Sequence, residues 1–187
     1  LLISLGAVVL TMALALPLAT KAGEAASLLG LSVSGLVLGT GMFLIVQPYV
    51  QPSSVALPVT MLVNVLMALP FVLRILRPGV ESARVDFGRL GQSLGLRGWA
   101  LWRIVYLPRL RRPMGFAAGL TGALAMGDLG VITLFSRPGE GTLPMAMYQL
   151  MGAYQMDAAY GAALLLVMLS LGLFWFFDKG GRAHAVV

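Results

Sequence analysis

A chain of 187 residues that is 59% hydrophobic and only 11% charged is too apolar for a water-soluble domain and takes lipid as its solvent. It has no cysteine, which excludes a disulfide framework, a thiol nucleophile and a thiolate metal site. The net charge of +6 belongs to one segment: nine of the thirteen basic residues lie between Arg74 and Arg112, beside only Glu81 and Asp86, so it does not point to nucleic acid.

Five runs approach the roughly 20 apolar residues needed to cross about 30 Å of hydrocarbon, at 1–19, 28–50, 55–73, 114–135 and 158–177. The first opens at Leu1, lacks a basic leader and is followed by Lys21, as a stop-transfer signal would be. It reads as a span and not a signal peptide, and the chain reads as part of a longer polypeptide. Pro48, Pro52, Ser53 and Ser54 separate the second and third runs by a short uncharged turn, which predicts an antiparallel hairpin. Gly35 with Gly39, and Gly115 with Gly119, have small-x-x-x-small spacing that suits either a dimer seam or packing inside the bundle.

The third run leads into the basic segment, 74–113, where Phe87, Leu90, Leu94, Leu96, Trp99, Leu101 and Trp102 alternate with arginines. This pattern predicts a cytoplasmic loop of short amphipathic helices, broken by Gly95 and Gly98, with a second element over 99–107 ended by Pro108. Basic loops stay on the cytoplasmic side. Alternation then puts 47–54 and 136–143 outside, and Lys21, Glu24 and the tail with Lys179 and Arg182 inside.

The fourth run contains Asp128, a carboxylate within a span, which is costly enough in lipid to need a partner or an aqueous pathway. It could receive a cationic cargo, act at a gate, or cap a broken helix. Residues 142–157, with Pro144, Tyr148 and Tyr154, are too polar for a full crossing and predict an interfacial or re-entrant helix.

Gly95, nine further residues and Val105-Tyr106-Leu107-Pro108 resemble the EAA loop of ABC-importer permeases. Leu94-Gly95 falls on that loop's Leu-Gly step, whereas Arg89-Leu90-Gly91 takes the place of Glu-Ala-Ala; Asp86, one helical turn earlier, could supply the missing carboxylate. Gly127 to Phe135, Thr142-Leu143-Pro144 and Tyr148 to Gly152 are similar to the thiamine-importer permease family, C-terminal half, with ferric-iron, sulfate, molybdate and polyamine permeases as alternatives.

The resemblance implies an all-α polytopic bundle of type I ABC importer permease architecture, forming one multi-pass domain over 1–187 in a bacterial inner membrane. It implies partner ATPase subunits, a periplasmic substrate-binding protein and a second permease half, fused upstream or another copy, and alternating access driven through residues 89–99. The chain itself would bind no cofactor, ATP being held by the partner.

A rival reading as an intramembrane enzyme finds no support in the residues: the single histidine, His184, lies in the tail, and there is no metal-binding helix motif or in-span carboxylate pair. No glycine-rich phosphate loop is present either, so any ATP hydrolysis belongs to another subunit. A structural or assembly membrane protein is the remaining alternative.

Overall fold

A computed structural model describes residues 1–93, 99–135 and 142–183, and every regular element among them is helical. Helix α1 spans Leu2–Leu18, α2 Lys21–Leu31 and α3 Gly35–Val46; a 3-10 turn at Pro52–Val55 leads into α4, Ala56–Ser93. After α5, Trp99–Leu101, a π turn at Trp102–Tyr106 runs into α6, Leu107–Met126, followed by α7, Gly130–Phe135, α8, Leu143–Gly152, and α9, Met156–Ala183. The stretches Pro52–Phe87, Trp102–Phe135 and Met156–Arg182 are long and apolar enough to cross a membrane, and Leu2–Leu18 and Gly35–Val46 are shorter apolar helices. The chain is an all-α, multi-pass membrane protein.

Two of the expected spans are not single helices. The run 28–50 divides at residues 32–34, where Ser34 has extended backbone and its Oγ accepts the Val37 N–H at 3.3 Å, starting a new helix. At 1.5 Å per residue α2 and α3 are about 16 and 18 Å long, so neither alone crosses. The run 114–135 is divided too: α6 ends at Met126, and Asp128 Oδ1 accepts the Gly130 N–H at 3.1 Å to begin α7.

The basic segment also differs from the expected loop. Helix α4 continues through it to Ser93, tied by i,i+4 contacts from Arg77 Nε to Glu81 Oε1 at 3.0 Å and from Ser82 Oγ to Asp86 Oδ2 at 3.3 Å. Pro108 does not end an element. It stands in the first turn of α6, directly after the π turn in which the Leu107 N–H bonds to the Trp102 carbonyl, and the helix runs through it. Gly95 and Gly98, expected to break the segment, lie outside the described residues.

The 47–55 connection does return the chain antiparallel, and 142–157 does contain a short helix, α8, which Tyr154, at φ 58°, turns into α9. At the centre Val72, Leu73 and Leu76 of α4 pack on Ala15 of α1 and Ala117 of α6. Val59 and Val63 of α4 pack on Val131, Ile132 and Phe135 of α7, with Phe43 of α3 edge-on to Phe135 at 5.4 Å. Helix α9 rests on the glycine face of α6, so the Gly115 and Gly119 spacing serves packing within the chain.

Candidate functional site

The two helix breaks meet at one place. Gly35 and Leu36, just after the first break, and Gly127 and Asp128, in the second, line a cavity of about 510 Å³ together with Asn64, Met67 and Phe71 of α4. Contact between the broken helices holds the arrangement: Leu36 reaches the Gly130 backbone, and Val131 and Leu134 close on Gly39.

Two side chains that line the cavity each have a buried polar atom without a hydrogen-bond partner. Asp128 spends Oδ1 on the first turn of α7, and its Oδ2 is buried with no hydrogen bond. Asn64 is 8% exposed, and its Nδ2 is likewise buried and unpaired. Each such group costs on the order of 1–3 kcal/mol when left dry. The third orphan among the described residues, Thr142 Oγ1, lines a different cavity beside Ser4, Leu57 and Pro144.

Asp128 was legible in the sequence; Asn64 was not. Its signal was a lone amide in the apolar run around Met61 to Leu66, the kind of residue that marks a pathway in a membrane helix.

The other expected residues fall on a helical stem at the basic end. Asp86 and the backbone of Arg89, Leu90 and Gly91 form the last turns of α4. Val105 belongs to the π turn, and Leu107 and Pro108 open α6. Ala83 of α4, Tyr106 and Leu110 form a small buried core between the two helical arms of this stem, and the Arg109 guanidinium lies 3.5 Å from the centroid of the Phe87 ring. Leu94 and Gly95, the centre of the expected coupling motif, lie outside the described residues. Below the stem, Arg77 also pairs with Glu24, which ties α2 to α4.

No family model matches the chain. Among curated proteins it is 35% identical over 162 residues to a thiamine transport system permease protein of Salmonella typhimurium, covering 87% of this chain and 30% of that protein. The protein of the same name from Brucella abortus is 36% identical over 149 residues, 80% of this chain and 27% of the relative. A chloroplastic sulfate permease of Chlamydomonas reinhardtii is 32% identical over 127 residues, 66% of this chain and 34% of the relative. The all-helical fold and these likenesses agree, and the chain is a relative of the thiamine transport system permease proteins, matching a segment of about three-tenths of their length.

Proposed function

We propose that this chain is part of the permease subunit of an ABC importer for thiamine in a bacterial inner membrane, and that it forms part of the cargo pathway. The observation that carries the reading is the 33–36% identity, over 80–87% of the chain, to permease proteins named for thiamine transport. The helical architecture supports it, because a multi-pass bundle with a helical stem at its basic end has the parts that such a subunit needs.

In this reading the permease performs no covalent chemistry. A separate ATPase supplies the energy, a periplasmic binding protein delivers cargo to the outer face, and a second permease half completes the pathway. The end of α4, the residues around Gly95 and the π turn dock on the ATPase. Closure of the ATPase on ATP pulls the stem and turns the cavity outward, as alternating access requires. Asp86 takes the role of the acidic residue of the docking loop, beside Arg89, Leu90 and Gly91. The chain is non-catalytic, with ATP bound by the partner.

The test is uptake of labelled thiamine by proteoliposomes holding the full permease, its ATPase and its binding protein. Sulfate and ferric iron are measured alongside, because a sulfate permease is also among the relatives. ATP-dependent uptake of thiamine alone is expected. Uptake of another cargo instead overturns thiamine, and no uptake of any cargo by a verified assembly overturns the importer. Replacing Gly95 with tryptophan is expected to leave membrane insertion intact and to separate ATP hydrolysis from uptake; loss of insertion would give Gly95 a folding role instead.

A further inference from the structure

We propose that the groove between α1, α6 and α9, at the basic end of the bundle, binds an anionic phospholipid of that leaflet, with its phosphate beside Arg111 and Lys179 and an acyl chain laid along α6. The inference goes beyond the importer reading and is independent of the cargo, since it needs only a membrane protein in a bilayer.

The first argument is shape. Helices α1 and α9 each pack along α6. Between them Leu107, Arg111, Met114 and Ala118 of α6, three or four residues apart, lie on one face and floor a groove of about 860 Å³. Val9 and Met12 of α1 form one wall, and Trp175 and Phe176 of α9 the other. One helical turn beyond Ala118 the groove closes, because Val8 of α1 and Leu173 of α9 both crowd Gly122. From Arg111 to Gly122 the helix rises about 16 Å, roughly half of the 30 Å hydrocarbon layer. A groove that opens at the basic end and stops near the bilayer midplane has the depth of one leaflet. A partner helix that spans the membrane would need a track through both.

The second argument is charge. Arg111 and Lys179 are the only ionisable residues that line the groove, and both are basic. The Lys179 ammonium stands 4.5 Å from the centroid of the Trp175 ring and pairs with no carboxylate among the described residues. Neighbouring Asp178 does not line the groove, and its Oδ2 is 2.7 Å from Arg182, which neutralises it. The C-terminal end of α9 brings about half a negative charge to this level. That of α1 is followed at once by the positive end of α2, so those two ends offset each other. Two cations against half a negative charge leave the mouth positive. An apolar groove ended by cations is how basic pockets between membrane helices hold anionic headgroups, whereas a seam between two helices would trap both charges in the contact.

The experiment uses the full-length permease, purified in neutral detergent and titrated with phosphatidylglycerol or phosphatidylcholine, with bound lipid counted by native mass spectrometry. Phosphatidylglycerol is expected to be held in preference to phosphatidylcholine. Lys179→Gln is expected to cut that preference about fivefold, and Arg111→Gln added to it by about fivefold again. Val9→Trp, at an exposed position, fills the apolar part of the groove and is expected to lose the same lipid with both charges kept. If the double variant fails to fold, Lys179→Gln and Val9→Trp decide.

Equal binding of the two lipids, or a preference that survives both Lys179→Gln and Val9→Trp, overturns the site. A permease that holds no phosphatidylglycerol overturns it too, and leaves the groove to another segment of the full-length protein. Displacement of the lipid by glycerol 3-phosphate overturns the lipid as occupant and makes the mouth a site for soluble phosphates.

Discussion

Glycine does opposite work on the two sides of α6. Along the seam with α9, a Cβ added at Gly115 would stand 2.7 Å from the Phe177 carbonyl oxygen and 2.8 Å from the Gly181 Cα, and one at Gly119 would stand 2.9 Å from the Phe174 carbonyl oxygen. Backbone lies against backbone there. At the cavity, a Cβ on Gly35 would first meet the flexible Met67 Sδ at 3.4 Å, and one on Gly127 would meet nothing closer than its own turn at 3.8 Å. The same residue closes space in one region and leaves it open in the other. What decides is whether a neighbouring backbone arrives, and glycine spacing alone does not tell the two uses apart.

The sharpest way to break the comparison is to put bulk into the seam. Gly115→Leu must push α9 away from α6 and is expected to cost about 3 kcal/mol, read as loss of the folded species in thermal unfolding in detergent. Gly172→Leu on α9, where nothing lies within 4 Å, is expected to leave the unfolding midpoint unchanged. Equal effects would dissolve the distinction between packed and open glycines.

At the cavity the larger effect should fall on function. Asp128→Asn is expected to reduce ATP-driven uptake about tenfold or more with normal insertion and folding, since the amide oxygen can still accept from Gly130. Asn64→Leu sharpens the contrast further: removing an unpaired buried amide is expected to raise stability by about 1 kcal/mol while uptake falls. A variant that lost both would make Asn64 a structural residue.

The smallest effect is expected at the Glu24–Arg77 pair. Glu24→Gln should loosen α2 from α4, seen as faster hydrogen exchange over α2 with no change over α6 and α9.

Several elements were legible because their signals are local. The Pro48 to Ser54 turn, the short helix near Pro144 and the span ending near Phe177 follow from breakers and run lengths. The helix break at 32–34 was hidden because a pattern based on hydropathy averages over Ser32 and Ser34, while the one at 127–129 was foreseen as one of three roles for Asp128, that of capping a broken helix. Their marks were chemical: Ser34 before Gly35, and Asp128 two residues before Gly130, each with an oxygen placed to start a new helix. The end of α4 was hidden for the reverse reason. Its charges suggested a loop, yet Arg77 with Glu81 and Ser82 with Asp86 are spaced to support a helix that leaves the apolar layer. Pro108 was read as a stop, although the helix runs through it from the π turn into α6. At the candidate site Asp128 stood out as an ionisable group among apolar residues, while Asn64 acquired meaning only when folding set it beside the breaks.

Helix α4 is also a mechanical part. Its 38 residues make a rod of about 57 Å, with Asn64 at the cavity and Asp86 about 33 Å away along the axis. A tilt of about 5° around the cavity would move the Asp86 end by about 3 Å, roughly two residues of helical rise. The rod is jointed, since Pro70 and Pro78 each remove a backbone hydrogen bond between those two points. In the proposed importer a displacement at one end would reach the other through these two positions, and their stiffness would set how much of a stroke is delivered and how much is absorbed.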